Sequence, residues 1–287
     1  MKHFNCCTYL VLAVLLFASN VVYAQIDLFN KKESLKDFNY KTLVVVLENN
    51  SIVDLALKDA IEKEWQLSKY KFCNLDEFEQ FKGDTSYYFL TRVKGIFKKE
   101  REPAIEFLSL LKGGPKEVKG VDQMADILSM PLQDIDDTQG AIIPYISAYV
   151  KIFQAHVLRI QKKKIAAHLG ISWYANRLGE IKGKRVLINE NDLSRQVTEA
   201  GEMVSLETAV SIVGEDEIYK AIDNKEPKTI VTLVISPTIE QQGSFCYKML
   251  LSTDSNELFY YKKQKISSKT PTGLLKEDIR AIVFPFK

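Results

Sequence analysis

Residues 142–165 constrain the fold of this chain more than any other stretch. Their apolar side chains recur at spacings of three and four, which predicts a single amphipathic α-helix. Pro144 lies near the start, where its missing N–H costs nothing, and lysines 162–164 suit the negative end of the helix dipole. A helix of this length in mid-chain predicts a connection between two parts of the protein. The apolar stripe consists of Ile142, Ile146, Val150, Phe153, Val157 and Ile160.

The sequences on either side of this helix show the same order of predicted elements. Each half reads β-α-β-α-β-β-β-α from its buried strand patterns and its short capped helices. Asp76-Glu77-Phe78 and Asp216-Glu217-Ile218 each begin a short helix at the same place in that order. The predicted fold class is α+β: two related α/β-like units joined by the long amphipathic helix. The alternative is that any two α/β halves look alike at this level of description.

The chain begins with the pattern of a secretory signal peptide. A short polar start is followed by an apolar run at 7–17, and small residues at Val22 and Ala24 predict cleavage after Ala24. The apolar run is too short to span a membrane comfortably, and no later stretch reaches eighteen apolar residues. We therefore predict a periplasmic or secreted protein with no transmembrane span after cleavage. The predicted organisation is a signal peptide at 1–24, a first unit at 25–139, a long connecting helix at 140–170 and a second unit at 171–287.

The balance of charges argues against a nucleic-acid partner. The 287 residues include 39 Lys and Arg and 37 Asp and Glu, which gives a net charge of +2. Dedicated nucleic-acid binders carry a clear basic excess. The local basic runs at 94–101 and 162–164 lack interleaved aromatic residues, so we interpret them as a solvated turn and a helix end.

The cysteines and histidines that remain after cleavage do not form a catalytic or metal-binding pattern. Cys73 and Cys246 fall at different places in the two units, so we predict two separate buried thiols rather than a disulfide. His156 and His168 lie twelve residues apart, whereas a metal-binding helical pair is spaced by four. Both are expected to be structural or exposed histidines.

Two groups of acidic residues could suggest chemistry. The first alternates in part like a calcium loop, but it lacks the central glycine and the distal glutamate, so a solvated turn before the helix is favoured. The second could supply paired carboxylates for glycosidase-type work, although acids are common on hairpins. No phosphate-binding loop or nucleophile elbow is present, and we assign no catalytic, cofactor-binding or metal-binding residue. The first group is Asp134, Asp136 and Asp137, and the second is Glu100, Glu102 and Glu106.

Two aromatic triplets could mark a surface for a partner. Tyr87-Tyr88-Phe89 and Phe259-Tyr260-Tyr261 place aromatic rings on both faces of a predicted strand. An open sheet face with such rings would suit a protein partner. Packing beneath the helices is the favoured alternative.

The strand and helix patterns at 42–47, 52–65, 70–73 and 87–93 carry a resemblance. Together with the export signal and the two-unit layout, they resemble uncharacterised exported proteins of Bacteroidetes. The first unit is also similar to the N-terminal domain of the periplasmic translocation protein TolB. The likeness covers less than half of the chain and contains no diagnostic motif, so it implies a fold unit and transfers no functional residue.

Two functions remain open from the sequence. The favoured hypothesis is an exported, non-enzymatic module of the cell envelope that docks a protein partner. The alternative is a small-ligand-binding protein, or a hydrolase, with a site between the two units. A cleft ringed by converging ionisable groups would favour the second hypothesis. Without a catalytic signature, enzymatic activity is left undecided and no cofactor is expected.

Overall fold

The computed structural model describes residues 35–48, 51–95, 105–114, 118–137, 139–200, 209–240, 242–255 and 257–285. The predicted signal peptide at 1–24 lies outside these ranges, as do Glu100 and Glu102. Within them, no helix has both the length and the apolar character needed to cross a membrane.

The first unit is built on a five-stranded mixed sheet with the order β2-β1-β3-β4-β5. The β-branched run of β1 pairs in parallel with β2 and β3, whereas β3, β4 and β5 form an antiparallel meander. Residues 43–46 of β1 are buried, as expected for a central strand covered on both faces. The strands are β1 (Thr42–Val46), β2 (Lys69–Cys73), β3 (Tyr87–Gly95), β4 (Ile105–Lys112) and β5 (Ala125–Asp134).

Two capped helices connect the parallel strands of this sheet. Helix α1 (Ile52–Glu64) begins after Ser51, whose hydroxyl accepts a hydrogen bond from the backbone N–H of Asp54. Helix α2 (Leu75–Phe81) begins after Asn74, which forms a reciprocal capping box with Glu77. These caps fix the points at which the chain leaves β1 and β2 at the carboxyl edge of the sheet.

The second unit repeats this arrangement with the order β7-β6-β8-β9-β10. Strand β6 pairs in parallel with β7 and β8, and β8, β9 and β10 are antiparallel. The strands are β6 (Arg185–Asn189), β7 (Val210–Val213), β8 (Thr229–Ile235), β9 (Phe245–Ser252) and β10 (Leu258–Lys265). The helices that follow β6, β7 and β10 are α5 (Arg195–Ala200), α6 (Glu215–Asp223) and α7 (Lys276–Val283).

The agreement between the two units extends to the register of their strands. Both last hairpins skip one residue of the final strand at the same place. In the first unit, Leu110 pairs with Leu128 and Leu111 pairs with Asp126, so the register skips Ile127. In the second unit, Leu250 pairs with Tyr260 and Leu251 pairs with Leu258, so the register skips Phe259. A bulge changes strand direction and twist, so its repetition makes the two sheets similar in shape as well as in order. The predicted α+β fold of two related units is confirmed.

The connecting helix is shorter than the apolar pattern predicted. It consists of a 3₁₀ turn (Ile143–Tyr145) followed by α3 (Ile146–Lys162), and the backbone of Lys163 is extended. A short helix, α4 (Lys164–Leu169), follows. In the sequence, the position four residues after Ile160 is a lysine, so the apolar stripe does not continue, and the helix ends at Lys162.

Helix α3 joins the two units through one continuous core. The Tyr149 hydroxyl donates to the backbone oxygen of Pro131 in β5 at 2.6 Å and lies 3.9 Å from the sulfur of Met249 in β9. Val157 and Ile160 are buried in the same cluster, which contains residues of both sheets. Near the end of the helix, the Arg159 guanidinium binds the Glu257 carboxylate of the second unit at 3.0 Å.

We expect truncation of the stripe to destabilise the protein much more than truncation of the exposed face of the same helix. Ile160 is 2% exposed, whereas Leu158 is 40% exposed. Ile160→Ala should lower the free energy of unfolding by about 2–5 kcal/mol because it leaves a cavity in the core, and Leu158→Ala should change it by less than about 1 kcal/mol. Chemical denaturation of both variants measures this difference, and equal losses would contradict the packing.

Candidate functional site

Both units have a crevice at the carboxyl ends of their parallel strands. The chain crosses from the first strand of each unit to one neighbour and then back to the neighbour on the other side. In sheets of this order, the strand ends on either side of that reversal are spread apart, and ligands commonly bind there. We call this place the switch point of each unit.

The switch point of the first unit is filled by the protein itself. Arg92 extends from β3, and its Nη1 donates to Ser51 Oγ at 2.6 Å and to Asp54 Oδ1 at 3.2 Å. Its Nη2 donates to Glu48 Oε2 at 2.9 Å, and its Nε lies 3.2 Å from Glu106 Oε1. Burial raises the pKa of Asp54 and of Glu106, and the guanidinium opposes both shifts. Glu106 is therefore a structural ion-pair partner within the first unit.

The second unit lacks this cation. The strand registers place Val234 where the first unit has Arg92. Ser194 precedes α5 as Ser51 precedes α1, and its Oγ is buried with no hydrogen-bond partner among the described residues. The positions of Glu48, Asp54 and Glu106 are taken by Asn191, Val197 and Cys246.

Asp192 lies in the loop that leaves β6 at this second switch point. It is 7% exposed, and its Oδ1 accepts a hydrogen bond from the Val234 N–H at 3.1 Å. Its Oδ2 is also buried and accepts no hydrogen bond of normal geometry from the described residues. Burial raises the pKa of Asp192 to about 6; the Thr232 hydroxyl and the Val234 amide oppose this shift, and the Glu215 carboxylate adds to it.

A cavity of about 240 Å³ lies between the two units beside Asp192. The first unit contributes the end of β5 and the turn that follows it, and the start of the connecting helix contributes Tyr145. The second unit contributes the ends of β6 and β8 and one side of α6. None of the described lining residues is Lys, Arg or His. The four carboxylates that line the cavity are Asp134, Asp137, Asp192 and Glu215.

The polar groups opposite Asp192 come from both units. Gln133 Nε2 donates to Glu106 Oε2 at 3.2 Å, whereas Gln133 Oε1 is buried without a partner among the described residues. The Tyr219 hydroxyl donates to Glu215 Oε1 at 2.5 Å. The Tyr145 hydroxyl donates to the backbone oxygen of Thr232 at 3.3 Å, so it crosses from the connecting helix to β8.

The turn at residues 134–137 has a role that the sequence did not reveal. The sequence predicted a solvated turn, and Asp136 is exposed, but Asp134 and Asp137 are half-buried. Asp134 Oδ1 accepts from the Asp136 N–H at 3.1 Å, and Asp137 Oδ1 accepts from the Gln139 N–H at 2.7 Å. In the described part of the chain, no group of three or more His, Cys, Asp or Glu side chains could hold a metal ion. Asp134 and Asp137 nevertheless line the cavity, because the end of β5 faces the second unit.

The cysteines and histidines lie away from this cavity. Cys73 and Cys246 are separate, buried thiols, as predicted, and burial raises the pKa of each to about 11. His156 is buried with its Nδ1 3.1 Å from the Tyr174 hydroxyl, and burial lowers its pKa to about 4, so the ring is neutral at pH 7. His168 is exposed.

The aromatic triplets pack inside the two units. Tyr88 and Phe89 are fully buried on β3, and all three rings of the second triplet on β10 are buried as well. Packing beneath helices and loops, which the sequence favoured, therefore accounts for these rings. The remaining ring, Tyr87, is half-buried, and Lys71 Nζ lies 4.3 Å from its centroid.

A second buried cluster of charges is fully partnered. Lys248 is completely buried, and its Nζ donates to Gln264 Oε1 at 2.6 Å and to the Asp278 carboxylate. Asp278 also accepts from Lys262 at 2.6 Å and from the Leu275 N–H at 2.9 Å. This cluster ties β9 and β10 to α7, and its charges are balanced within the protein.

No protein-family model, curated protein or solved structure matches this chain. The likeness to TolB and to exported Bacteroidetes proteins stays a prediction. The cavity and its unpartnered acceptors are the features from which a function can be argued.

The raised pKa of Asp192 predicts a distinctive dependence of stability on pH. The carboxyl holds its proton more tightly in the folded state than at its ordinary pKa of 3.8, so its ionisation opposes folding. Between pH 3.8 and about 6 the free energy of unfolding should fall, by about 3 kcal/mol in all, and this contribution stays lost at higher pH. Asp192→Asn keeps the acceptor for Val234 and removes the ionisation.

Denaturant unfolding at pH 4 and pH 8 checks this expectation. The difference in stability between Asp192→Asn and the wild type should grow in favour of the variant as the pH rises. A difference that is the same at both pH values would show that Asp192 ionises normally.

Proposed function

We propose that this protein is an exported, non-enzymatic binding protein whose small-ligand site is the cavity between the two units. The observation that carries the proposal is that two residues lining one cavity, Asp192 and Gln133, each have a buried side-chain oxygen that accepts no hydrogen bond of normal geometry from the described residues. Buried polar atoms are almost always satisfied, and exceptions commonly mark functional sites. A ligand with hydrogen-bond donors would satisfy both.

Binding is favoured over hydrolysis by the chemistry of the lining. The described lining residues include no cysteine, histidine or lysine. Carboxylates can also act as nucleophiles and bases, but Asp134, Asp137 and Glu215 already accept short hydrogen bonds from the protein. The hydroxyls of Tyr145 and Tyr219 donate to protein acceptors. The cavity thus supports the small-ligand alternative from the sequence more than it supports a hydrolase.

The two-unit construction suits a binding role. Gln133 belongs to the first unit and Asp192 to the second, so a ligand held by both would add contacts across their junction. Such a ligand binds only the folded protein and stabilises it by mass action. We also infer that the two units arose by duplication and later diverged at their switch points. Arg92 occupies the switch point of the first unit, whereas the second unit has Val234 at the same position and therefore no cation there.

Docking of a protein partner is the second candidate function. It is supported by apolar side chains that remain exposed on the first unit: Leu55 is 67% exposed, and Ile52 and Leu75 are each 49% exposed. Ile52 and Leu75 are the first residues of α1 and α2, so both lie at the carboxyl edge of the first sheet. An apolar surface at this edge would suit a protein of the cell envelope.

A thermal-shift screen of small metabolites, which measures the melting temperature of the protein with each compound, tests whether the cavity binds a ligand. Ala141 is exposed and lines the cavity, so Ala141→Trp should obstruct it with little effect on the core. A compound bound in the cavity should raise the melting temperature of the wild type and not that of this variant. Ala125→Trp, at an exposed alanine that does not line the cavity, is the matched control.

Two results of the screen would contradict the proposed ligand site. If every stabilising compound acts equally on Ala141→Trp and on the control, the ligand site lies elsewhere. If no compound stabilises the wild type, the proposed function is wrong.

The docking candidate predicts that Leu55→Lys reduces capture of an envelope partner by the mature chain. Leu158→Lys is the control, because Leu158 is an exposed leucine on a different helix. A specific partner lost only with the Leu55 variant would support docking. Equal capture by both variants would exclude this surface, as measured by quantitative mass spectrometry of pull-downs from envelope extract.

A further inference from the structure

We propose that the cavity binds a small organic cation, an alkylammonium or alkylguanidinium compound, whose charged group lies against Asp192. This inference rests on the proposed function, because it names the chemical class of the ligand for the same site. Three independent features support it: the charge of the lining, the unpartnered acceptors and the comparison with the first unit.

The charge of the lining excludes an anion and favours a cation. Four carboxylates line the cavity, and none of its described lining residues carries a positive charge. Three of the four carboxylates already accept short hydrogen bonds from other groups of the protein. Asp134 Oδ2 accepts from the Thr238 N–H at 2.5 Å, Asp137 Oδ1 from the Gln139 N–H at 2.7 Å, and Glu215 Oε1 from the Tyr219 hydroxyl at 2.5 Å.

Asp192 is the carboxylate with the least compensation. Its hydrogen bond of normal geometry comes from the Val234 N–H, and the nearby Thr232 hydroxyl also favours its ionised form, but burial outweighs both. A buried carboxylate is costly unless it is paired or neutralised. An ammonium or guanidinium group would supply both the charge and the N–H donors, whereas a neutral polyol would supply only donors.

Gln133 provides a second acceptor from the opposite unit. Like Asp192 it is 7% exposed, and its Oε1 is buried without a partner among the described residues. Its amide nitrogen already donates to Glu106, which fixes the oxygen as the group left for a ligand. A cation with several N–H donors can reach acceptors in different directions, as a guanidinium does.

The first unit shows how this fold accommodates such a group. Its own switch point holds the Arg92 guanidinium among Ser51, Asp54 and Glu48, with the Ser51 hydroxyl as an acceptor at 2.6 Å. In the second unit Val234 replaces Arg92, and the Oγ of Ser194, the counterpart of Ser51, is buried without a partner among the described residues. The second switch point has therefore kept the serine but neither the cation nor the three carboxylates around it, and its own buried carboxylate, Asp192, stands at a different position.

The lining and the volume of the cavity favour an organic cation over a metal ion. No group of three potential ligating side chains lies close enough together to hold a metal in the described part of the chain. The rings of Tyr145 and Tyr219 both line the cavity, with centroids 6.5 Å apart and planes inclined at 78°. Aromatic faces attract organic cations, and a cavity of about 240 Å³ limits the ligand to a small molecule.

The affinity for a cation should depend on pH through Asp192. The titratable groups that face it are Glu215 and Tyr219 from α6, Tyr145 from the turn before α3, and Cys246 from β9. The pKa values of both tyrosines and of Cys246 are raised, so these groups are neutral between pH 5 and pH 8. Asp192, with a pKa of about 6, loses its proton within this range.

Isothermal titration calorimetry of the mature protein with agmatine, which carries both an ammonium and a guanidinium group, tests the inference. We expect binding at pH 8 that weakens about tenfold at pH 5, because about nine-tenths of Asp192 would be protonated there. Asp192→Asn should weaken binding at pH 8 at least tenfold and remove most of the pH dependence. Asp122→Asn, at an exposed aspartate outside the cavity, should bind as the wild type does.

The outcomes separate this inference from the function on which it rests. Equal agmatine affinity in the wild type and Asp192→Asn would overturn the inference. So would failure of agmatine, putrescine and butylguanidinium to bind while a neutral or anionic compound stabilises the wild type but not Ala141→Trp; the proposed function would then stand. If no compound of any charge depends on the cavity, both proposals fail.

Discussion

The burial of one helix stripe between two sheets is the interaction on which the rest of this structure depends. Each sheet needs an apolar partner for its inner face, and α3 provides one surface to both. Tyr149 shows the consequence most directly, because its hydroxyl bonds to β5 and touches β9. The two units therefore share one core, and the carboxyl edges of their sheets are held close enough for a cavity to form between β5 and α6.

The two units differ in how the charges at their switch points are balanced. Both place polar groups at a crevice where parallel strand ends diverge, and such groups must be satisfied when buried. The first unit supplies Arg92 and is complete in itself. The second has Val234 at that position and leaves Asp192 with a raised pKa. A carboxyl group that lowers stability when it ionises is expected where function, rather than folding, maintains it.

The features that could be predicted from the sequence are those that depend on residues close together in the chain. Strand and helix patterns depend on neighbours a few residues away, so β1, α2 and the repeated element order could be predicted from their apolar periodicity. The end of α3 was placed three residues too late, at 165 instead of 162, because the helix was extended beyond Ile160, where its apolar stripe ends. The cavity could not be predicted: Gln133 and Asp192 lie 59 residues apart, and neither belongs to a motif.

The sequence by itself determined most strand and helix positions, the repeated order and the separation of the two thiols, since each follows from local pattern or from position within a unit. Only the tertiary structure decided which charged residues are compensated. Glu106 looked like one of several exposed hairpin acids, yet it is buried against Arg92. Asp192 belongs to no sequence motif, yet it is buried beside a cavity. Whether a carboxylate is solvated, paired or left for a ligand depends on burial and on partners far away in the chain, and these exist only once the two sheets have packed on α3.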